Sequence, residues 1–351
     1  MKRIQVTASK NYEVLVGRGL LQELGVHIQN LTKANKVAIV SDSNVWPIYG
    51  QRAVKSLEDA GFCGTVSYVF PAGEESKNGE TFLSLLNFLA TEKLTRSDCI
   101  VALGGGVVGD MTGFVAATYL RGIDYIQVPT TVLAAVDSSV GGKTAIDLPA
   151  GKNLAGAFYQ PKLVLCDIDT LNTLPGDIFR DGCAEIIKYG VLYDPQLFAH
   201  LEEFGLDFDR EDVISRCIEL KRDVVAADEF DRGERQKLNL GHTIGHSVEA
   251  NSHFTVSHGK AVAIGMAIVS RASAKQNICS AQTAAAIEEI LRKFNLPTDT
   301  ADSAAAIYES ALSDKKRFGN TVNLIIPVKI GSCIIHTVTT EALKTFIEAG
   351  L

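Results

Sequence analysis

The first half of the chain alternates short apolar runs with longer segments whose apolar residues recur every three or four positions. KVAIVSD at 36–42 and CIVALGGG at 99–106 are typical of the runs, which are rich in β-branched residues and too short for helices. Residues 81–94 show the helical spacing. This alternation predicts an α/β domain with a mostly parallel sheet, because parallel strands need the crossover connections that helices usually supply.

The pattern also predicts the order of elements in this half. An opening hairpin pairs residues 4–8 with 12–16, and single strands follow at 36–42, 65–70, 99–106, 124–130 and 162–167, with helices at 46–60, 81–94 and 107–120. The connection at 137–161 is too long and too glycine-rich to be an ordinary turn. We therefore predict that it is a functional loop.

From residue 175 the pattern changes to helices joined by short links. Helices are predicted at 177–192, 194–204, 210–227, 241–251, 259–276, 281–294 and 301–312, followed by strands at 321–327 and 332–338 and a closing helix after 340. A chain of 351 residues also exceeds the size at which a single core usually stops growing. We predict an α/β domain over 1–174 and a mainly helical domain over 175–351.

Composition narrows the classes of partner. The formal net charge of −7 argues against nucleic acid and anionic membranes, which attract basic surfaces, and favours a small-molecule ligand. Seven cysteines without a C-x-x-C pair indicate free thiols in a reducing compartment. The N-terminus lacks the apolar core of a signal peptide, and the longest apolar run, 261–269, is too short to span a bilayer. We expect a cytoplasmic protein.

A glycine cluster at 104–109, GGGVVG, fits the G-x-G-x-x-G pattern between a predicted strand and helix. Backbone amides at such a turn can bind a pyrophosphate at the helix N-terminus. The usual fingerprint belongs to the first βα unit of its domain, whereas this one comes several strands later, so a tight turn explains it as well. Asp42, at the end of an earlier strand, favours dinucleotide binding because a carboxylate there could hold ribose hydroxyls.

Gly142-Lys143-Thr144 resembles the end of a P-loop, but that motif needs a glycine at position 137, where the chain has aspartate. The P-loop hypothesis therefore fails. Lys143 and Lys152 are instead two cations in one loop, available for a phosphate or another anionic group, although solvated surface lysines are equally typical.

Residues 235–266 contain four histidines, of which His242, His246 and His258 lie among small and apolar residues. If the segment were one helix, Arg235, Asn239, His242 and His246 would lie on one face. His242 and His246 have the H-x-x-x-H spacing, but Thr243 replaces the glutamate of metalloproteases.

A third ligand would have to come from elsewhere, and Glu185, one turn before Lys188, is a candidate in an apolar helical stretch. A carboxylate with two histidines is typical of catalytic Zn²⁺ sites. A surface ion pair and core histidines are the alternative.

Six segments taken in order resemble the 3-dehydroquinate synthases of the shikimate pathway, within the sugar phosphate cyclase superfamily. They are GGGVVGD (104–110), RGIDYIQVPTTVLAAVDSSVGGKTAID (121–147), GKNLAGAFYQP (151–161), DGCAEIIKYG (181–190), LNLGHTIGH (238–246) and SHGKAVAIGM (257–266). The resemblance implies a homodimer with NAD and Zn²⁺ or Co²⁺, and a role in aromatic amino acid biosynthesis.

The resemblance also implies the reaction and its order of steps. The substrate would be a sugar phosphate, 3-deoxy-D-arabino-heptulosonate 7-phosphate, and the products 3-dehydroquinate and phosphate. The steps would be transient oxidation by NAD, phosphate elimination, re-reduction and intramolecular aldol closure. An enzyme that eliminates phosphate in this way is a carbon-oxygen lyase.

The same resemblance assigns roles to residues. The metal ligands would be Glu185, His242 and His258. The catalytic residues would be His246 as acid and base, with Lys143, Lys188, Arg235 and Asn239. The substrate contacts would be Asp137, Asn153, Lys221, one or both of Lys315 and Lys316, and Arg121 acting in the partner subunit's site. The NAD contacts would be Asp42, Glu74, Lys77, Gly105, Gly106, Asp110, Thr130, Thr131, Lys143, Lys152, Thr173 and Leu174.

Three alternatives remain at this stage. A metal- and NAD-dependent polyol or glycerol-phosphate dehydrogenase has a related architecture, but the anion-binding lysines and the DSSVGGK loop argue against it. A sugar-phosphate cyclase acting on sedoheptulose 7-phosphate or glucose 6-phosphate is a closer rival, against which Asn239 and the Asp314-Lys315-Lys316 motif argue. A cofactor-binding protein without catalysis fits poorly with a full set of chemical residues.

Overall fold

The computed structural model describes residues 1–315 and 320–351. Within them the chain forms two compact units. The first unit comprises Met1–Leu174 and Arg210–Phe230, and the second comprises Pro175–Asp209 and Asp231–Leu351. The first is built around a mostly parallel sheet and the second is mainly helical, so the predicted fold class is confirmed.

The strands of the described residues are β1 (Lys2–Val6), β2 (Tyr12–Gly17), β3 (Val37–Asp42), β4 (Val66–Phe70), β5 (Cys99–Gly104), β6 (Asp124–Pro129), β7 (Lys143–Leu148), β8 (Gly151–Phe158), β9 (Leu163–Asp167), β10 (Thr321–Lys329) and β11 (Ser332–Thr339). The helices are α1 (Leu24–Leu31), α2 (Gln51–Asp59), α3 (Gly79–Thr91), α4 (Gly106–Thr118), α5 (Gly176–Tyr193), α6 (Pro195–Phe204), α7 (Arg210–Ala227), α8 (His242–Asn251), α9 (His258–Lys275), α10 (Ala281–Lys293), α11 (Ala304–Lys315) and α12 (Thr340–Gly350).

The main sheet of the first unit has the strand order β1-β2-β9-β6-β5-β3-β4. Only the opening hairpin of β1 and β2 is antiparallel in it. Alternate residues of each buried strand face opposite helical layers: in β3, Val37 and Ile39 pack with α1 and α2, and Ala38 and Val40 pack with α3 and α4. Burial on both faces explains why these strands are continuous apolar runs in the sequence.

The segment 137–161, which we predicted to be a loop, contains regular structure. Strands β7 and β8 form an antiparallel hairpin whose register shifts between Ile146 and Leu148. The glycines that suggested a loop have a packing role here, since a Cβ at Gly156 would lie 2.1 Å from the carbonyl oxygen of Thr144 on the paired strand. The loop prediction was therefore wrong for 143–158.

Helix α7 belongs to the first unit, although the sequence-based division at 174 assigned it to the helical domain. It packs against β1, β2 and the helical turn Ala134–Ser138. Ion pairs support this placement, since Asp212 accepts from Lys2 at 2.5 Å and Asp137 accepts from Lys221 at 2.7 Å. Chain order alone does not reveal such a return of the backbone.

The second unit is organised on α9, whose buried face contacts α5, α8, α10 and α12. The β10–β11 hairpin covers part of α5 and α9. Helix α11 begins at Ala304 and not at the predicted 301, because Ser303 accepts from the amide of Ala306 at 3.2 Å and caps the helix there. Among the helices that the structure describes, none is long and apolar enough to cross a bilayer.

A buried carboxylate at the start of β5 gives a pH-dependent test of the first unit. Asp98 accepts from the amides of Asn35, Lys36 and Thr95 and from the Thr95 hydroxyl, at 2.7–3.3 Å. Burial opposes its ionisation, but these hydrogen bonds outweigh burial and hold the pKa of Asp98 below its ordinary value. The resulting stabilisation is complete above the unfolded pKa of about 4 and is lost as the pH falls through the lower folded pKa.

We therefore expect Asp98→Ala to lower the free energy of unfolding by about 2 kcal/mol at pH 7, since hydrogen bonds to a charged acceptor are being removed. The difference from the wild type should shrink as the pH is lowered below about 4. Urea denaturation at several pH values measures both effects. Asp59→Ala, an exposed carboxylate paired with Lys55 on α2, is the control, and a deficit that persists undiminished in acid would contradict the account.

Candidate active site

Three ligand-type side chains converge in the second unit: Glu185 in α5, His242 at the start of α8 and His258 at the start of α9. Oε1 of Glu185 lies 3.7 Å from Nε2 of His242 and 3.6 Å from Nε2 of His258. One ligand atom of each residue lies within 4.8 Å of the other two. A carboxylate and two imidazoles are the donor set of catalytic zinc sites, so these residues fit a Zn²⁺ or Co²⁺ ion.

Both histidines turn the same ring nitrogen toward Glu185, and in each the other nitrogen faces an acceptor. Nδ1 of His242 lies 3.1 Å from the carbonyl oxygen of Leu240, and Nδ1 of His258 lies 3.4 Å from Oε2 of Glu249. An imidazole whose proton is on Nδ1 keeps its lone pair on Nε2. The surroundings therefore favour the tautomer that a metal ligand needs.

Direct backbone contact between α8 and α9 fixes the two histidines relative to each other. A Cβ at Gly265 would lie 1.9 Å from the carbonyl oxygen of Gly241. Gly241 itself has a φ of 78°, and Val262 leaves no room for a side chain at this position. Only glycine tolerates both the left-handed backbone and this approach. Gly241 thus ends the preceding turn and allows His242 to begin α8 next to α9.

The start of α9 is also held by α5, the helix of Glu185. Asp181, one turn before Glu185, accepts from the hydroxyl of Ser257 at 2.5 Å and from the amide of Lys260 at 3.0 Å. The Lys260 amide is one of the N–H groups that a helix start leaves without an internal partner. Helix α5 therefore carries one candidate ligand and positions the helix that carries another.

The two histidines differ in their affinity for protons. Burial and the charge of Lys188 lower the pKa of His242 well below its ordinary value. Burial would also lower the pKa of His258, but hydrogen bonds to Glu185 and Glu249 outweigh it and raise that pKa to about 10. The two histidines thus differ because two carboxylates lie beside the His258 ring, whereas the charge of Lys188 acts on His242.

Glu185 and Lys188 form a buried ion pair, and not the surface pair that the spacing allowed. Their side chains are 0% and 1% exposed, and the ammonium group of Lys188 contacts Oε2 of Glu185. A charge this deeply buried is stable only beside an opposite charge or a metal. Lys188 is thus a fixed cation at the edge of the ligand cluster.

The proposed polar stripe along one helix is wrong. Arg235 and Asn239 lie in a separate helical turn, Glu234–Asn239, and the chain bends at Gly241 before α8 begins. Of the four residues, only His242 and His246 share a helix, with ring centroids 5.3 Å apart. Arg235 is buried, whereas His246 and Asn239 are exposed. The positive φ of Gly241, which periodicity does not reveal, is the cause of the break.

The first unit has a separate group of predicted residues at the carboxyl edge of its sheet. Strand β3 is followed by β4 on one side, but β5 lies on its other side, so the strand order reverses between β3 and β5. Ligands of open parallel sheets bind at such a switch point. Asp42 ends β3, and Gly105 and Gly106 follow β5 at the start of α4. The glycine turn therefore stands where the topology favours a nucleotide.

Crowding at this turn favours glycine at both positions. A Cβ at Gly105 would lie 3.1 Å from the Thr131 side chain, and one at Gly106 would lie 3.3 Å from Oγ of Ser138. The amide of Thr130 donates to the carbonyl oxygen of Gly104 at 3.0 Å and holds the end of β6 beside the turn. Backbone amides at this helix start remain accessible only if these positions carry no side chain.

Five further predicted residues form one polar network in the first unit. Lys77 is buried and donates to Asp110 at 2.5 Å and to Asn153 at 2.6 Å. Glu74 lies 4.0 Å from Lys77 and 3.9 Å from Lys152. Burial would lower the pKa of Lys77, but Asp110 and Glu74 outweigh it and raise that pKa. The network joins four predicted NAD contacts to Asn153, a predicted substrate contact.

The remaining predicted residues are more dispersed. Lys221 and Asp137 form a pair in which Lys221 donates to both the carboxylate and the carbonyl oxygen of Asp137. The hydroxyl of Thr173, just before Leu174, lies 2.6 Å from that of Tyr49. Lys143 and Arg121 are exposed, and Lys315 is the last residue of α11. Lys316 lies outside the described residues.

Two carboxylates that the sequence did not single out also belong to these clusters. Glu249 is buried beside His258, and its signal was available, since it lies seven residues after His242 on the same face of α8. Asp147 accepts from the amide of Asn153 at 2.8 Å, and its own amide donates to the carbonyl oxygen of Lys77. Only the hairpin register brings Asp147 there, and that register was not predicted.

Comparison with known families gives consistent matches. The family model described as "3-dehydroquinate synthase N-terminal" matches residues 67–181, and the one described as "3-dehydroquinate synthase C-terminal" matches residues 182–317. Together they span well over half of the chain. The match to two consecutive models of one family excludes a chance likeness in a single motif.

Relatives and solved structures extend this likeness to nearly the whole chain. A 3-dehydroquinate synthase of Clostridium acetobutylicum is 43% identical over 99% of both chains, and one of Streptococcus suis is 42% identical over 96% of this chain and 97% of the relative. A crystal structure of 2-deoxy-scyllo-inosose synthase complexed with carbaglucose-6-phosphate, NAD⁺ and Co²⁺ superposes with a TM-score of 0.90 at 25% identity and covers all of both chains.

Proposed function

The chain belongs to the 3-dehydroquinate synthase family, and we propose that it converts 3-deoxy-D-arabino-heptulosonate 7-phosphate into 3-dehydroquinate and phosphate. The observation that carries the proposal is the cluster of Glu185, His242 and His258 beside the buried ammonium group of Lys188. It combines a metal donor set, which suits ionisation of a substrate hydroxyl, with a fixed cation, which suits stabilisation of developing negative charge. As phosphate leaves by elimination, the enzyme would be a carbon-oxygen lyase.

The cofactors of the proposal are NAD and a divalent metal, Zn²⁺ or Co²⁺. When bound, NAD supplies reversible hydride transfer, and the metal supplies Lewis acidity that favours ionisation of the substrate hydroxyl. We assign the metal to Glu185, His242 and His258. We assign the NAD pyrophosphate to the turn at Gly105 and Gly106. The structure of 2-deoxy-scyllo-inosose synthase with NAD⁺ and Co²⁺ supports this pair of cofactors for the shared fold.

The protein's own groups would then move protons and hold anions. His246 is exposed next to His242 and would accept and return a proton as general base and acid. Lys188 and Arg235 in the second unit, and Lys143 and Lys221 in the first, would bind substrate anions and stabilise the charge that develops on the departing phosphate. Three of these four cations, all but Lys143, are buried, so their positions are fixed before substrate binds.

We also propose a homodimer in the cytoplasm, in which Arg121 acts at the partner subunit's site. Arg121 is exposed and has a φ of 65°, a conformation that is costly for a non-glycine residue and is often retained at functional sites. A surface arginine held in this way is suited to contact a substrate that a second copy binds. Active-site sharing between an Arg121→Ala subunit and a subunit lacking a metal ligand would test the assignment.

The choice of substrate can be tested by comparing sugar phosphates side by side. We expect phosphate release from the heptulosonate phosphate, and much slower release from sedoheptulose 7-phosphate and glucose 6-phosphate, each supplied with NAD⁺ and Co²⁺. The carboxylate of the preferred substrate needs one more cationic contact than the other two sugar phosphates, which lack it, and this chain offers several cations. Faster release from either of those two sugar phosphates would assign the chain to another cyclase reaction.

The assignment of the glycine turn predicts a selective loss of NAD binding. In Gly106→Val, the new side chain would occupy the space beside Ser138 and block the approach of the pyrophosphate to the helix start. We expect the Kd for NAD to rise by about 100-fold, since losing the phosphate contacts costs about 3 kcal/mol.

Fluorescence titration with NADH measures the effect of Gly106→Val. Gly64→Val in the same unit, where an added Cβ makes only ordinary contacts, is the control. Unchanged affinity in a folded Gly106→Val protein would move the pyrophosphate away from this turn.

A further inference from the structure

Glu249 is a buried carboxylate that has no role in the reaction described so far. It lies on α8, seven residues after His242 and three after His246, so the three side chains share one face of the helix. Its side chain is 6% exposed, and Oε2 lies 3.4 Å from Nδ1 of His258. Burying a carboxylate is costly, so a buried carboxylate that serves no partner is not expected in a stable protein.

The ring of His258 lies between two carboxylates. Nε2 faces Oε1 of Glu185 at 3.6 Å, and Nδ1 faces Oε2 of Glu249 at 3.4 Å. The first carboxylate belongs to the ligand cluster and the second lies on the far side of the ring. A histidine that donates its Nδ1 proton to a carboxylate is fixed in orientation and becomes a more basic donor at Nε2.

His242 offers an internal comparison. Its Nδ1 faces the carbonyl oxygen of Leu240 at 3.1 Å, and its Nε2 also faces Glu185. Each of the two histidines therefore has its outer nitrogen beside an acceptor, but only His258 has a charged one. The two side chains also differ in exposure, since that of His258 is 33% exposed against 13% for His242. The more exposed ligand is thus the one that is oriented by a carboxylate.

We propose that Glu249 is a positioning residue for the metal site, which holds the His258 ring with its proton on Nδ1 and its Nε2 lone pair directed at the ion. This inference rests on the ligand set proposed above. Glu249 does not itself touch the metal in this arrangement, and its contribution is to metal affinity and to the retention of one His258 tautomer.

A different arrangement makes Glu249 a direct ligand. His246, Glu249 and His258 also offer three ligand atoms within 4.8 Å of one another. In that case His246 would contribute to metal affinity as much as Glu249 does. The positioning role predicts the opposite, because His246 then has no part in holding the ion. Substitution of His246 therefore separates the two arrangements.

The test measures the Kd for Co²⁺ of the full chain by competition with a chromogenic chelator. We expect Glu249→Ala to raise this Kd by about 10- to 100-fold, the usual effect of removing a carboxylate behind a ligating histidine. Glu249→Gln, whose amide oxygen can still accept from Nδ1, should retain most of the affinity. His246→Ala should leave the Kd within about threefold of the wild type, because His246 is not a metal ligand if Glu249 has the positioning role.

Two further measurements separate positioning from a loss of stability. Asp194→Ala removes another buried carboxylate of the second unit, one that caps α6, and should lower the Tm without changing the Kd. In the Zn²⁺-loaded protein, the proton on Nδ1 of His258 should give a slowly exchanging NMR resonance that Glu249→Ala abolishes. A structural role of Glu249 alone would not affect that resonance.

The outcomes are distinct. Unchanged Co²⁺ affinity in Glu249→Ala, together with metal loss in His258→Ala, overturns the positioning role and leaves the ligand set intact. Unchanged affinity in His258→Ala overturns the ligand set itself, and with it the basis of the inference. Equal losses in His246→Ala and Glu249→Ala overturn the inference in favour of direct ligation by Glu249.

Discussion

Replacing His258 with alanine should abolish metal retention while leaving NAD affinity essentially unchanged. The substitution removes one of the three proposed metal donors, and the remaining two, Glu185 and His242, should hold a divalent ion poorly. Lewis acidity contributes several kcal/mol to such reactions, so turnover should fall at least about 1,000-fold even with Zn²⁺ in the buffer. The NAD contacts we assign lie in the first unit, where His258 is not found.

Metal content after gel filtration and titration with NADH measure the two properties in the same preparation. His336→Ala is the matched control, because this half-buried histidine lies on β11 of the same unit and takes no part in the ligand cluster. Its metal content should equal that of the wild type. A His258→Ala protein that keeps one equivalent of metal would show that the ligands have been assigned wrongly.

Replacing Lys188 with methionine should have the opposite effect on metal and a similar effect on turnover. The ammonium group competes with a cation for Glu185, so its removal should leave Zn²⁺ bound as tightly as before, or more tightly. Turnover should still fall by about 100-fold or more, since a fixed donor to developing negative charge is lost. Metal retention with lost activity thus distinguishes Lys188→Met from His258→Ala.

The same variant should show a stability defect that metal repairs. Without metal, Lys188→Met leaves the fully buried carboxylate of Glu185 without its lysine partner, which costs about 3–5 kcal/mol when a buried pair is broken. Zn²⁺ restores an opposite charge, so the loss of Tm in chelator should largely disappear when the ion is added.

Lys237→Met is the control for the stability defect, because it breaks a lysine–glutamate pair with the same sequence separation. Lys237 pairs with Glu234 at 2.6 Å and the same three-residue separation, but its glutamate is 66% exposed. We expect a loss below about 1 kcal/mol that does not depend on metal. A defect of equal size in both variants would mean that burial of the Glu185–Lys188 pair has no particular importance.

Local pattern was sufficient for most of the fold. Strands β3, β5 and β6 are mostly apolar because both faces of the sheet are covered there, and helices α2 to α5 show the spacing that such cover requires. The hairpin of β7 and β8 was missed because glycines interrupt its alternation. Helix α7 was placed in the wrong half because its partners, β1 and β2, lie about 200 residues earlier in the chain.

Local sequence pattern predicted the candidate site less well than it predicted the fold. Periodicity joined Arg235 and Asn239 to His242 on one helix, and a single left-handed glycine at 241 separates them. The meeting of Glu185 with His258 depends on the packing of α5 against α9, which no spacing within the sequence encodes. Glu185 was a candidate from its apolar surroundings, but only the resemblance to a family named His258 as a ligand. The individual assignments of NAD and substrate contacts stay predictions, although topology places Asp42, Gly105 and Gly106 at one edge of the sheet.

The central claim is that oxidation is transient and that phosphate leaves in each turnover. The most direct measurement follows phosphate release and NADH absorbance together, with the heptulosonate phosphate in large excess over NAD⁺ and with Co²⁺ present. We predict that phosphate exceeds the total NAD by many turnovers while NADH does not accumulate. Accumulation of NADH in step with turnover, or NADH formation without phosphate release, would contradict the account and indicate a dehydrogenase.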